Sequence, residues 1–234
     1  DSMTYPHYPS RTIHDLQDLW DFAFLGEKVE IDSIKIEDIA FTTRIDVPSA
    51  YDAYPEWAGK RGTFAYRTCI RATPHKKGLL RLQGTGMWNR VYYSDNGGET
   101  YEPAQTFALP YSGLSIELPA ADTCERMILI LSDNRLDFSR TCLQEEYFDF
   151  YAYGGLFRTV EYHELEDGWI DRVAIQVKDL AKGEVSLKIK LGEASSNPQN
   201  AQLSLNHKYL TTLTIPAHTR EYEATLELGV LPYW

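Results

Sequence analysis

Apolar residues recur at every second position through much of this chain, and nowhere at a sustained helical spacing. Leu114, Ile116 and Leu118 alternate with Ser115 and Glu117. Val173, Ile175 and Val177 share one face, and so do Val185, Leu187, Ile189 and Leu191. Leu203 and Leu205, Leu213 and Ile215, and then Tyr222, Ala224, Leu226 and Leu228 continue the pattern. Side chains of a strand point alternately to opposite faces, so a period of two specifies half-buried strands. The fold class is therefore all-β.

The first part of the chain carries further strand signals. Leu19–Phe24 alternates large apolar with small or polar residues, and Ile31–Phe41 alternates imperfectly and is expected to be another strand. The stretches 63–70, 79–82 and 87–93 are rich in β-branched and aromatic residues. Met127–Leu131 is a continuous apolar run, the pattern of a strand buried on both faces. Asp95-Asn96-Gly97-Gly98 is a turn, with positive φ expected at Asn96 and Gly97. Residues 49–62 form a loop carrying Tyr51, Tyr54 and Trp57, and Asp133–Gln144 reads as a polar loop. Glu164–Gly168 is acidic and turn-like, which divides the chain into domains at 1–163 and 164–234. Short alternating strands in the second part indicate a small immunoglobulin-like sandwich.

A net charge of −11 argues against nucleic acid or an anionic membrane as partner, since both would repel it. No run of apolar residues is long enough for a membrane helix. Cys69, Cys124 and Cys142 give neither a disulfide framework nor a metal motif. They favour a reducing, cytoplasmic compartment; a leader removed before residue 1 leaves the periplasm open. The six histidines form no His-x-His or His-x-x-x-His pair, so neither metal nor cofactor is expected. No nucleophile elbow or phosphate loop is present.

The most unusual local composition is Tyr147-Phe148-Asp149-Phe150-Tyr151-Ala152-Tyr153-Gly154-Gly155-Leu156-Phe157-Arg158-Thr159-Val160. A carboxylate among aromatics is costly to bury unless it is paired or faces a polar cavity. The glycine pair lets the backbone turn sharply or approach another surface closely. Aromatic faces beside a carboxylate suit a sugar, whose C–H groups stack on rings and whose hydroxyls donate to the carboxylate. The competing reading is a strand corner with Asp149 capping a turn.

Several of these segments resemble family 2 glycoside hydrolases of the β-galactosidase and β-glucuronidase group. Tyr8-Pro9-Ser10-Arg11 with Asp18-Leu19-Trp20-Asp21-Phe22 is similar to the family's opening, and Tyr66-Arg67 to one of its strands. Phe148-Asp149-Phe150 with Gly154-Gly155-Leu156-Phe157-Arg158-Thr159-Val160 resembles the family's most distinctive non-catalytic motif. Leu231-Pro232-Tyr233-Trp234 looks like the end of its second domain. The resemblance implies a jelly-roll β-sandwich followed by a smaller immunoglobulin-like β-sandwich. It also implies a C-terminal catalytic barrel, carrying two glutamates, beyond Trp234. The chain is then inactive alone, holds no catalytic residue, and supports hydrolysis of terminal β-glycosides with retention. Asp149 would hold the sugar, with Tyr151 and Tyr153 beside it, while Arg158 would pair with an acidic neighbour inside the fold. An apolar surface left open by a missing barrel predicts a homo-oligomer. The rival readings are a stand-alone carbohydrate-binding protein and a structural sandwich.

Overall fold

The structure, a computed structural model, describes residues 11–108, 113–136 and 153–229. It divides into two compact units, Asp1–Leu165 and Glu166–Trp234. The first contains β1 (Thr12–Asp15), β2 (Asp18–Gly26), β3 (Thr43–Val47), β4 (Ser49–Ala50), β5 (Thr63–Arg71), β6 (Lys77–Leu82), β7 (Trp88–Ser94), β8 (Glu102–Phe107), β9 (Leu114–Leu118), β10 (Glu125–Asp133), β11 (Gly155–Leu156) and β12 (Val160–Leu165). The second contains β13 (Ile170–Asp179), β14 (Glu184–Leu191), β15 (Gln199–Leu205), β16 (Lys208–Ile215) and β17 (Glu221–Glu227).

The first unit is a jelly-roll sandwich. A four-stranded sheet, β1-β12-β6-β9, faces a six-stranded sheet, β3-β2-β5-β10-β7-β8, and all pairings are antiparallel. Alternation supplies the core between them. Trp20 and Phe22 of β2, Phe64 and Tyr66 of β5, and Ile128 and Ile130 of β10 meet Leu80 and Leu82 of β6, Ile116 of β9 and Tyr162 of β12. Phe22 sits edge-on to Tyr66 at 4.9 Å and stacks on Phe64 at 5.6 Å, favourable ring geometries.

The other face of the six-stranded sheet is also covered. Ala65, Leu129, Leu131, Trp88 and Tyr92 point outward into a second cluster with Ile31 and Ile36. This explains the continuous apolar run: Ile128, Leu129, Ile130 and Leu131 are all fully buried, two toward each cluster. The cover corrects one expectation. Residues 31–41 are not a strand; they hold two short 3₁₀ turns, Ile31–Ser33 and Ile36–Asp38. The segment lies on a sheet face, so its isoleucines are spaced for one-sided burial without ladder pairing.

The β7–β8 hairpin departs in detail from expectation. Positive φ falls on Gly97 and Gly98, one residue later than the Asn-Gly rule places it. Asn96 closes the turn with its side chain instead: its Oδ1 accepts from Ser94 Oγ at 2.7 Å and Thr100 N at 3.1 Å. Such side-chain bonds compete with the simple two-residue turn. Asp133, expected to begin a loop, ends β10 with 1% exposure, and both its carboxylate oxygens accept from Arg135.

In the second unit, an immunoglobulin-like sandwich, a three-stranded sheet β13-β14-β17 is accompanied by the hairpin β15-β16. Val185, Leu187, Ile189 and Leu191 of β14 are buried, the last three in a cluster with Ile215. At one end Trp169 packs on Gly192, where any side chain would overlap the indole. Among the described residues, Cys69 and Cys124 are free thiols, no helix is long and apolar enough to cross a membrane, and no group of three His, Cys, Asp or Glu is placed to hold a metal. Cys142, Tyr8–Ser10 and Leu231–Trp234 lie outside the described residues.

One buried ion pair ties this architecture together. Arg126 of β10, with no side-chain exposure, donates to both Asp95 oxygens at 2.7 Å and to Pro119 O at 2.9 Å. Burial pushes the Asp95 carboxyl up, but Arg126 and the Asp122 N–H outweigh this and hold it below the ordinary value of 3.8. The unfolded chain therefore takes up this proton first. The pair's stabilisation is complete above the ordinary value and is lost as pH falls through the folded one. Replacing one partner strands the other charge, so Arg126→Met is expected to cost about 3 kcal/mol in urea unfolding at neutral pH. The deficit should narrow on acidification below about pH 4; a deficit independent of pH would contradict the assignment.

Candidate functional site

The distinctive motif re-enters the described structure at Tyr153, and from there each residue has a clear position. β11 pairs with β4, Gly155 opposite Ala50 and Leu156 opposite Ser49. On its other side Gly86 N donates to Gly155 O at 2.8 Å, Phe157 N donates to Gly84 O at 3.2 Å, and Thr85 bridges Leu156. The motif is thus a short strand wedged between the loop after β3 and the loop before β7. Asp52 anchors its start, accepting from Gly154 N at 2.8 Å, and Tyr51 N donates to Gly154 O at 3.3 Å.

Both glycines are required, for different reasons. A side chain at Gly154 would overlap the Tyr51 hydroxyl. Gly155 has φ +111°, and a Cβ there would stand 2.7 Å from Tyr66 Oη and 2.9 Å from Ser49 O. Gly86 lies on the same spot, with an added Cβ 3.2 Å from both Gly155 N and Ser132 Oγ.

This contact gathers an uncommon set of polar atoms. Tyr51 Oη, Tyr66 Oη, Ser132 Oγ and Asn89 Oδ1 are buried and have no hydrogen-bond partner among the described residues. Asn89 is fixed through its Nδ2, which donates to Thr85 Oγ1 at 3.0 Å and Gly86 O at 2.9 Å. Burial pushes the Tyr51 and Tyr66 phenols well up, so both stay neutral; the nearby Leu156 N–H only partly offsets this at Tyr66, without hydrogen-bond geometry. The arrangement is a neutral, protonated, hydroxyl-rich layer directly behind the glycine pair.

Of the three candidate sugar contacts, Asp149 and Tyr151 lie outside the described residues. Tyr153 is exposed at 53%, one residue from the anchored Gly154, and so stands at the surface where the motif enters. The aromatics of the 49–62 segment are taken up by packing and hydrogen bonding. Tyr51 is fully buried and stacks on Phe64 at 3.8 Å, Tyr54 donates to Asp46 at 2.7 Å, and Trp57 packs edge-on to Phe22 at 5.5 Å. Arg158 is exposed and lays its aliphatic stem on Gly84. The polar layer was missed in the sequence because Tyr51, Tyr66, Asn89 and Ser132 are far apart in it; only their convergence on Gly86, Gly154 and Gly155 unites them.

The other family-like segments meet one another. Asp21 accepts from Arg67 Nε at 3.0 Å and Nη2 at 2.8 Å, and Arg67 lies 4.2 Å over the Phe41 ring. Trp20 Nε1 donates to Leu16 O at 2.9 Å. These residues build the sheet, and none of them belongs to the motif's end.

Since the oxygen of Tyr51 is what a side chain at position 154 would strike, Gly154→Ala should destabilise by about 2 kcal/mol. Tyr51→Phe removes an unsatisfied buried hydroxyl and should be neutral or slightly stabilising. Added to Gly154→Ala, it should recover part of the loss, as measured by thermal or urea unfolding. Strict additivity of the two changes would contradict the contact.

The sequence matches no protein-family model and no curated protein. The fold does have solved counterparts. A β-galacturonidase of Eisenbergiella tayi, a family 2 glycoside hydrolase solved with glycerol, matches 98% of this chain with a TM-score of 0.74 at 18% identity. The Bifidobacterium dentium β-glucuronidase, solved with coumarin-3-O-glucuronide, matches 98% at 0.75 and 17% identity. A β-galactosidase described as putative, from Bacteroides fragilis, matches 96% at 0.70 and 22% identity. The chain spans only 38%, 44% and 36% of these proteins respectively. Identities this low speak for fold, and the fold of these residues is the paired β-sandwich architecture found in family 2 glycoside hydrolases.

Proposed function

We propose that these residues are the non-catalytic β-sandwich portion of a family 2 β-glycosidase acting on terminal β-glycosides. In this reading a catalytic barrel follows Trp234. The sandwich supports it, and Asp149 reaches the sugar with Tyr151 and Tyr153 alongside. The observation that carries the proposal is the match over nearly the whole chain to glycosidases more than twice its length. It is supported by the placement of the motif's second half, whose glycines are demanded by the fold.

The chemistry divides between the two parts. Retaining hydrolysis needs an acid/base and a nucleophile about 5 Å apart. Both belong to the barrel here, and the sandwich contributes binding. A carboxylate offers two oxygens to sugar hydroxyls, and charge-assisted bonds of that kind are the stronger ones. Asp52 accepts from Gly154 N, so the described residues that follow the Asp149 segment in sequence are held in place. A β-galacturonidase, a β-glucuronidase and a β-galactosidase described as putative share this fold, so in this reading the choice of sugar belongs to the barrel.

The test is hydrolysis of nitrophenyl β-glucuronide, β-galacturonide and β-galactoside by residues 1–234 and by the full reading frame. Activity is expected only in the longer protein. There Asp149→Ala should lower kcat/KM by about ten- to a hundredfold, the worth of a charged hydrogen bond. Activity in the short chain, or an Asp149→Ala enzyme with unchanged kinetics, would overturn the proposal. Sugar binding by the short chain with no longer reading frame would establish a stand-alone binding module instead.

A further inference from the structure

Asn96 is the one asparagine of six in the sequence that is followed by glycine. The structure puts both residues at the exposed tip of the β7–β8 hairpin. An asparagine carboxamide carbon lies within reach of the next residue's backbone nitrogen, and a bond between them closes a five-membered ring. Bulk on the following residue, or a hydrogen bond that holds its N–H, ordinarily keeps that nitrogen from attacking. Neither is present here. Gly97 has no side chain, the space where one would begin holds no other atom within 4 Å, and its N–H has no acceptor among the described residues.

The turn also prepares the carbon under attack. Asn96 Oδ1 accepts from Ser94 Oγ at 2.7 Å and from Thr100 N at 3.1 Å. Negative charge builds on that oxygen as the amide carbon becomes tetrahedral, and two fixed donors are suited to stabilise it. Ser94 is itself held in place, since it is 2% exposed and its Oγ accepts from Gly98 N at 3.0 Å. On the other side of the carboxamide, Asn96 Nδ2 donates to Thr100 Oγ1 at 2.9 Å. The departing nitrogen therefore has a hydroxyl beside it that can pass it a proton. The bonds that close the turn are the bonds the reaction uses.

We propose that Asn96–Gly97 is a site of spontaneous deamidation in the folded protein. Gly97 N bonds to Asn96 Cγ and gives its proton to solvent. The Cγ–Nδ2 bond breaks, and the nitrogen takes up one proton by way of Thr100 and leaves as ammonia. Water then opens the ring at either carbonyl. One opening gives aspartate. The other gives isoaspartate, whose backbone runs through the former side-chain methylene.

The two products meet different surroundings. Aspartate keeps an acceptor where Oδ1 stood, so the bonds from Ser94 and Thr100 N persist. Isoaspartate lengthens the backbone directly after Asp95, the residue that ties this hairpin to β10. The Asp95 carboxylate accepts from Arg126 Nε and Nη2 at 2.7 Å and from Asp122 N at 3.3 Å, while its backbone oxygen accepts from Thr123 Oγ1 at 3.1 Å. A longer turn shifts Asp95 against a guanidinium that is wholly buried and has no other carboxylate among its printed bonds. Isoaspartate at position 96 therefore weakens the Asp95–Arg126 pair, and aspartate leaves it intact.

The test is storage of the purified protein at mildly alkaline pH, followed by peptide mapping with a fragmentation that separates aspartate from isoaspartate. Asn96 is expected to convert at least about tenfold faster than any other asparagine. Thr100→Val, which removes the hydroxyl and keeps the N–H, should slow the conversion severalfold. Asn96→Asp should keep a urea midpoint near that of fresh protein. The isoaspartate fraction should unfold at lower urea, and its deficit should narrow below about pH 4, as for Arg126→Met. An Asn96 that lasts as long as the other asparagines would overturn the site, and an unchanged rate in Thr100→Val would overturn the part given to the turn. An isoaspartate fraction as stable as fresh protein, or an Asn96→Asp protein as unstable as that fraction, would overturn the link to Asp95 and Arg126.

Discussion

Everything in the first unit depends on β10 being apolar on both sides. Ile128 to Leu131 are fully buried in succession, and no single interface can bury four consecutive strand residues. Two covers are therefore needed. One is the opposing sheet, through Leu80, Leu82 and Ile116; the other is the 27–42 segment, through Ile31 and Ile36. The same constraint explains why Arg126, at the end of this strand, must bring its own carboxylate. A cation held in an interior this well packed is tolerable only when paired and fully hydrogen-bonded.

The segments that make this sequence resemble family 2 glycoside hydrolases divide by physical role. Asp21 and Arg67 answer to one another through the 2.8 Å ion pair, Phe22 packs edge-on to the ring of Tyr66, whose hydroxyl alone reaches the motif, and Trp20 is buried in the same core. They form a packing solution, which any function built on the fold would retain. The glycine motif is different in kind. Its backbone is pressed between two loops, and the tyrosine hydroxyls behind it are left without partners. Buried unsatisfied hydroxyls cost stability in a structural corner. That difference sets this end of the sandwich apart from the aromatic centre of the sheet.

Strand existence was legible from period two alone, because alternation follows directly from the geometry of an extended chain. Met127–Leu131 was legible as doubly buried for the same reason. What failed did so for identifiable causes. The isoleucines of 31–41 imitate a strand because a segment lying on a sheet also needs apolar residues on one side, and composition does not reveal whether its backbone is paired. Tyr51 falls in a segment read as a loop, yet it stacks on Phe64 and meets Gly154. Asn96 moved the turn by one residue because its amide bonded Ser94 and Thr100, an option that propensity rules average away.

The second unit shows a further limit of periodicity. Val173, Ile175 and Val177 carry the same signal as Leu187, Ile189 and Leu191, and pattern alone gives both rows the same fate. In the structure one row is core and the other open. A hydrophobic pattern records the surface a strand has been selected to bury, not which element buries it. An edge strand that keeps a regular apolar row while its ends are bulged and charged is protected against chance pairing along the edge, yet it offers its face. Those features together are hard to reconcile with a surface meant to remain in water.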